Sequence, residues 1–197
     1  MSHSHTKLLK RKKKNLSDED LVKVIVESKS HDDFGILYDR YSEKVYHKCI
    51  SFVKDLDLAQ DLTHDIFLKV FVNLSRFSHK SKFSTWLYSL TYNFCIDYTR
   101  KNGKVRFEGD DKLTNIPDNE DDRNEKEILS LRAERLGAVL DLISPDDKAV
   151  LLMKYQDEMS VKDIETVLGL SESAVKMRVK RARAKAVEMC YKTYQDE

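Results

Sequence analysis

Apolar positions recur at steps of three and four through most of the chain, the period of an amphipathic helix. Leu16-Ser17-Asp18-Glu19-Asp20-Leu21 opens a first short helix. Ser17 caps it, Asp20 is the acidic third residue and Leu16 staples onto Leu21. A longer helix follows over about 32–53, with Phe34, Leu37, Tyr38, Tyr41, Val45, Cys49, Phe52 and Val53 on one face. Asp57 and Gln60 predict the start of another, running to about Ser75 with Ile66, Phe67, Val70, Phe71 and Leu74 inward. Ser84 is placed to cap a fourth, ending near Gly103, whose core face reads as Leu87, Leu90, Phe94 and Tyr98. After an aperiodic stretch the pattern resumes over Ile128–Leu142, with Leu131, Leu136, Val139, Leu140 and Ile143 inward. Ser144-Pro145-Asp146-Asp147 then restarts a helix that continues through Val150, Leu151 and Tyr155.

The sharpest pattern lies in Ser160–Cys190. Ser160, Asp163 and the Met159–Ile164 pair make a complete helix start. Gly169 supplies the backbone freedom of a tight turn, and Ser171 caps the next helix. There Val175, Val179, Ala182, Ala186 and Met189 fall into one narrow stripe, while Ser173, Lys176, Met177, Lys180, Arg181 and Lys185 lie off it. Residues 171–187 hold six Lys/Arg against one Glu. A helix that packs with one side and is cationic on the other suits the DNA major groove, which presents base acceptors between anionic phosphates. Ser171, Ser173, Lys176, Met177, Arg178, Lys180 and Arg181 are the candidate duplex contacts.

Composition agrees with an all-α chain: 41% hydrophobic and 35% charged residues, with only five Gly and two Pro in 197. The net charge of +1 conceals a segregation. Residues 1–15 carry six Lys/Arg and no acid, and read as a disordered basic arm; residues 108–127 carry nine Asp/Glu against three Lys/Arg. The predicted organisation is therefore a basic arm at 1–15, a helical domain at 16–103, a flexible acidic linker at 104–127 and a second helical domain with the helix–turn–helix at 128–197. Cys49, Cys95 and Cys190 stand far apart in sequence without a C-x-x-C, which fits packing in a reducing compartment and not a disulfide scaffold or zinc site. No apolar run nears the roughly 20 residues of a membrane span, and no apolar segment follows the basic start as in a secretory signal. The expected location is cytoplasmic, without membrane insertion.

Two further surfaces stand out. Asp61, His64, Asp65, Leu68 and Val72 mix acid and apolar side chains on what should be the wet side of their helix. A helix packed on two sides and a docking face for a basic partner helix both fit this pattern. Phe77–Phe83 is a polar, basic loop, and Tyr88, Tyr92, Asn93, Ile96 and Arg100, with Lys101, lie opposite the predicted core face that follows it. Rings beside cations make a single-strand platform, at about 1–3 kcal/mol per stacked base; the tyrosines completing a bundle core is the competing reading.

FGILYDRYSEKVY, DLAQDLTHDIFLKVF, KFSTWLYSLTYNFCIDYTRK and SVKDIETVLGLSESAVKMRVKRARAKA, in this order, resemble the opening, polymerase-binding, promoter-melting and minus-thirty-five segments of bacterial RNA polymerase sigma factors of the extracytoplasmic-function group. The resemblance implies that Asp61, His64, Asp65 and Lys69, with Leu68 and Val72, dock on the clamp coiled coil of the polymerase largest subunit. His64 stands where the family more often has Gln. It implies that the loop Phe77, Ser78, His79, Lys80, Lys82, Phe83 and Ser84 holds a base flipped from the minus-ten element, with Tyr88, Tyr92, Asn93 and Arg100 nearby. For Trp86, packing and DNA contact both remain open. Leu140, Ile143, Val150 and Leu151 offer a seat to the polymerase flap or form a plain core.

The implied activity is that of a dissociable specificity subunit for core RNA polymerase and promoter DNA, with an anti-sigma protein as a further partner that holds some members at a membrane. The basic arm has no assigned partner. The residues present no phosphate-binding Gly loop, catalytic constellation, metal set or cofactor site, so an enzyme is not expected. A stand-alone helix–turn–helix repressor or activator and a sigma-like polymerase decoy are the rival readings.

Overall fold

The computed structural model describes residues 13–102 and 120–194, the side chains of 120–130 excepted. The basic arm before residue 13 and the linker up to residue 119 lie outside the described residues. The described residues divide into two compact units, the first ending at Asn102 and the second formed by most of those from Glu120 onward. No strand occurs among the described residues.

The first unit is built from α1 (Asp18–Ser28), α2 (His31–Val53), α3 (Leu56–Asn73), a short 3₁₀ turn (Leu74–Arg76) and α4 (Phe83–Asn102). Ser17 caps α1 by accepting from the Asp20 amide at 3.1 Å, and Ser30 caps α2 through the Asp33 amide at 3.3 Å. Such caps stabilise a helix by about 1 kcal/mol each. In a chain so poor in glycine, lysines take the left-handed positions that close α1 and α2: Lys29 at φ 50° and Lys54 at φ 53°. The cap of α3 lies two residues before the predicted one, because Asp55 accepts from the Leu58 amide at 2.8 Å and Asp57 falls inside the first turn.

α2 packs on α1, α3 and α4, and its Leu37, Val45 and Cys49 are wholly buried. The α2–α3 seam is aromatic, with Phe34 edge-on to Phe67 and Phe71, and Tyr38 against Phe67 at 4.6 Å. Asp18 ties the start of α1 to α2 by accepting from Arg40 and from the Tyr41 hydroxyl. Burial, followed by that bond to Asp18, pushes the Tyr41 phenol far above its ordinary value, so it stays a donor.

The second unit contains α5 (Glu120–Leu142), α6 (Pro145–Leu151) with a π turn (Leu152–Gln156), α7 (Val161–Leu168) and α8 (Glu172–Tyr194). α5 begins at Glu120, so the end of the expected linker is helical, although its composition lacks an apolar face. Val139 and Ile143 are buried as predicted, but Leu131 and Leu136 stay 49% and 57% exposed. The core comes instead from α6 and the π turn, where Ala149, Val150 and Met153 have no exposure. Ser144 caps α6 through the Asp147 amide at 3.2 Å, with Pro145 at its first position.

Candidate protein-docking and nucleic-acid interfaces

α3 buries Ala59, Leu62, Thr63, Ile66, Phe67 and Val70. Its other side holds Asp61, His64, Asp65, Leu68, Lys69 and Val72, all exposed. Leu68 is 65% and Val72 75% open to solvent, so the helix is not packed on two sides within its own unit. Leaving a leucine or valine wet forfeits roughly 1.5–3 kcal/mol that burial would recover. Asp61, His64 and Asp65 have no ion-pair partner among the described residues, whereas Lys69 leans over the Phe94 ring at 5.5 Å.

The basic loop between the 3₁₀ turn and α4 is clipped at both ends by buried phenylalanines. Phe77 packs on Phe83 at 5.8 Å, and both lie against Trp86, at 5.5 and 5.9 Å. Phe77 is 6% and Phe83 0% exposed, so neither offers a face to a base; they shape the loop. Trp86 is half-buried on this pair and so belongs partly to the packing. Ser78, His79, Lys80 and Lys82 remain exposed at the tip, with His79 in the left-handed region at φ 56°.

α4 is turned relative to the predicted face. Phe83, Thr85, Leu87, Thr91, Tyr92, Cys95 and Ile96 are its buried residues. Tyr92, expected on the platform, is 1% exposed, edge-on to Phe52 and under Lys48 at 5.7 Å. Tyr88 is half-buried, with Tyr41 at 6.4 Å and the Lys48 ammonium 4.3 Å from its ring centre. Ser84 is also half-buried, inside the helix and not at its cap. Leu90, Phe94 and Tyr98, expected inward, keep intermediate exposure. The side turned to water carries Asn93, Asp97 and Arg100, with Trp86 on the same stripe.

The start of α4 is capped by a residue with no local signal. Glu19 on α1 accepts the Phe83 amide at 2.9 Å across 64 residues of sequence. A carboxylate there also meets the positive end of the helix dipole.

In the second unit the helix–turn–helix has the predicted geometry. Ser160 accepts from the Asp163 amide at 3.1 Å, Gly169 sits at φ 64°, and Ser171 accepts from the Ala174 amide at 3.4 Å. Val175 and Ala182 are wholly buried. Ser171, Ser173, Lys176, Met177, Lys180 and Arg181 are exposed. Arg178 is different: its guanidinium reaches back to Asp146 on α6 at 2.8 Å, and Lys185 similarly holds Asp147. These two cations flank the packed stripe and tie α8 to α6, which sets Arg178 apart from the exposed cations of the helix. Burial pushes the Asp147 carboxyl up, but hydrogen bonds from Lys185 and Ser144 outweigh it and hold the group below its ordinary value. Lys180, Arg181 and Arg183 have no ion-pair partner among the described residues. Arg183 is thus an available cation that the stripe pattern alone did not single out. Ile143, Val150 and Leu151, one of the two readings of the flap seat, are buried core, and Leu140 is half-buried.

Comparison with known proteins places these surfaces in a family. The Sigma-70 region 2 family matches residues 37–105, and the Sigma-70 region 4 family matches residues 133–185. The chain is 30% identical to the ECF RNA polymerase sigma factor SigW of Bacillus subtilis over 166 residues, covering 80% of this chain and 89% of that protein. It is 29% identical to the ECF RNA polymerase sigma-E factor of Haemophilus influenzae, over 85% of this chain and 92% of the relative. Among solved structures its fold is similar to CnrH, in complex with the cytosolic domain of CnrY, with a TM-score of 0.64, 23% identity, and coverage of 87% of this chain and 96% of that one. A second, the sigma factor RpoE in complex with the anti-sigma factor NepR from Bartonella quintana, gives a TM-score of 0.60 at 21% identity, over 80% and 96% of the two chains. The chain belongs to the extracytoplasmic-function group of RNA polymerase sigma factors, which act in transcription initiation through RNA polymerase and promoter recognition.

Proposed function

We propose that the first unit docks on core RNA polymerase through α3 and captures melted minus-ten DNA beside α4, while α8 reads the upstream element as duplex. The observation that carries this reading is the α3 stripe. Leu68 and Val72 stand open between Asp61, Asp65 and His64, on a helix whose opposite side is filled core. A partner helix with basic and apolar side chains, such as the polymerase clamp coiled coil, covers the apolar pair and meets both acids.

For the opened strand, the supporting residues are the loop tip Ser78, His79, Lys80 and Lys82 and the outward stripe Trp86, Asn93 and Arg100. Phe77, Phe83 and Tyr92 act from the core by holding that surface in shape. Strand opening then draws on binding energy alone: unstacking a base costs a few kcal/mol, offset by capture against the loop. For the duplex, Ser171, Ser173, Lys176, Met177, Lys180 and Arg181 face the groove, and Arg178 sets the angle of α8 from behind. A contact with the polymerase flap falls to the apolar side chains still exposed in the second unit, Leu136, Leu142 and Tyr155 among them. The solved relatives bound to CnrY and to the anti-sigma factor NepR support an anti-sigma protein as a further partner of this chain. No helix among the described residues is long and apolar enough to cross a membrane.

The test is a reconstitution from core polymerase, this protein and a promoter library, read for specific transcripts. Transcripts that require both proteins support the reading. Tight sequence-specific binding without polymerase would favour a repressor instead, and polymerase binding without initiation a decoy.

A further inference from the structure

Cys49 and Cys95 have no part in the surfaces described above. They lie 46 residues apart in sequence, on α2 and α4, and neither has any exposure to solvent. In the fold they are neighbours: the Cys95 thiol donates to the Cys49 sulfur across 3.9 Å. That hydrogen bond holds the Cys49 thiol below its ordinary value; burial opposes it, and a further bond from Thr63 on α3 adds to it. A disulfide needs the sulfurs about 2.0 Å apart, so closure demands about 1.9 Å of approach by the two sulfur atoms, on helices already in contact.

We propose that Cys49 and Cys95 form an intramolecular disulfide site, closed by hydrogen peroxide and opened by a thiol reductant. Cys49 is the first to react. Its sulfur attacks one peroxide oxygen, the O–O bond breaks, and the departing hydroxide takes up the thiol proton as water, leaving a sulfenic acid. The Cys95 sulfur then attacks that sulfur; the S–S bond forms, the S–O bond breaks, and a second water leaves with the Cys95 proton. Two thiols lose two electrons in all, and one peroxide becomes two waters. Because both sulfurs are buried, oxidant reaches them when the unit opens locally, which makes the reaction slow and dependent on the stability of this core.

The bridge has a defined mechanical result. α3 lies wholly within the segment between Cys49 and Cys95, so the closed loop contains the helix with the docking stripe and fastens α2 to α4 on either side of it. Cross-linking a loop of this length restricts the unfolded chain and raises the stability of the unit. The exposed residues of α3 take no part in the bond.

The experiment uses the full chain with Cys190→Ala, which removes the exposed third thiol as a competing partner for disulfide formation. Hydrogen peroxide is added, and non-reduced peptides are mapped by mass spectrometry alongside thermal unfolding. The expected result is a linked Cys49–Cys95 peptide with loss of two hydrogen atoms. The first unit's midpoint should rise by roughly 10 °C and return after dithiothreitol. Adding Cys49→Ala should abolish both the linked peptide and the upward shift on peroxide treatment. Sulfinic or sulfonic acids at these two positions with no linked peptide, or thiols that stay free until the whole unit unfolds, overturn the proposal.

Discussion

α4 and α8 are of similar length, carry basic residues in their last turns and both have the sequence pattern of nucleic-acid surfaces, yet they share themselves with the core very differently. α4 buries seven of its 20 residues; α8 buries two of 23. α8 packs along one narrow stripe, so its remaining circumference is free for charge. α4 is wedged against α2 and α3, with Glu19 of α1 at its start, and its buried arc widens until it takes in Tyr92 and Ile96. A helix with one packed side displays its function in its period. One packed from several sides does not, because aromatic side chains serve core and surface equally well.

The largest test of this contrast is Tyr92→Ala. As a core residue, Tyr92 should cost the first unit about 3–5 kcal/mol when truncated, read as a lower urea midpoint. An unchanged midpoint with weakened single-strand binding would return it to the surface. α3 is intermediate, with one side core and one side open. Asp61→Ala with Asp65→Ala should weaken core polymerase binding about a hundredfold, about 2.7 kcal/mol, and leave the urea midpoint in place. A titration of labelled polymerase measures the first and circular dichroism the second.

On α8 the effects should be smaller and purely electrostatic. Arg181→Ala should reduce duplex promoter affinity about tenfold, within the roughly 1–3 kcal/mol of a base or phosphate contact, and lower the salt slope by about one. Loss of polymerase binding in that variant would show that the helix has another role. The smallest effect concerns the ties behind α8. The folded Asp147 carboxyl lies below its usual 3.8. Its pairing therefore stabilises the unit above about pH 4, and that stability drains as pH falls through the depressed value. With Lys185 half exposed, the contribution is about 1 kcal/mol or less. Asp147→Asn should flatten this acid limb in a pH series of thermal midpoints for the second unit; an unchanged limb would mean the tie contributes nothing.

Much of the geometry of the candidate surfaces is legible from the chain alone, for reasons particular to each element. The α3 stripe was visible because acids and large apolar residues on one side conflict with burial in either direction. The structure resolves the conflict by leaving Leu68 and Val72 open. The helix–turn–helix was visible because Ser160, Gly169 and Ser171 are local signals that act within four residues of themselves. The pairing of Arg178 with Asp146 is not legible in the period, because periodicity cannot tell an unpaired cation from one that meets a distant carboxylate. Trp86 stayed ambiguous for a similar reason, since only Phe77 and Phe83 reveal how much of its ring is covered.

The sequence by itself determined the all-helical class, the capped starts of α1, α6, α7 and α8, the turn at Gly169 and the family, since each depends on residues close together or on strings in order. Only the tertiary structure decided what depends on distant parts of the chain meeting. Glu19 caps α4 across 64 residues, Asp146 and Asp147 draw two cations of α8 away from its open side, and Cys49 finds Cys95. Hydrogen bonds and packing have a reach of a few ångströms in space. Local spacing reports them faithfully only where neighbours in space are also neighbours in the chain.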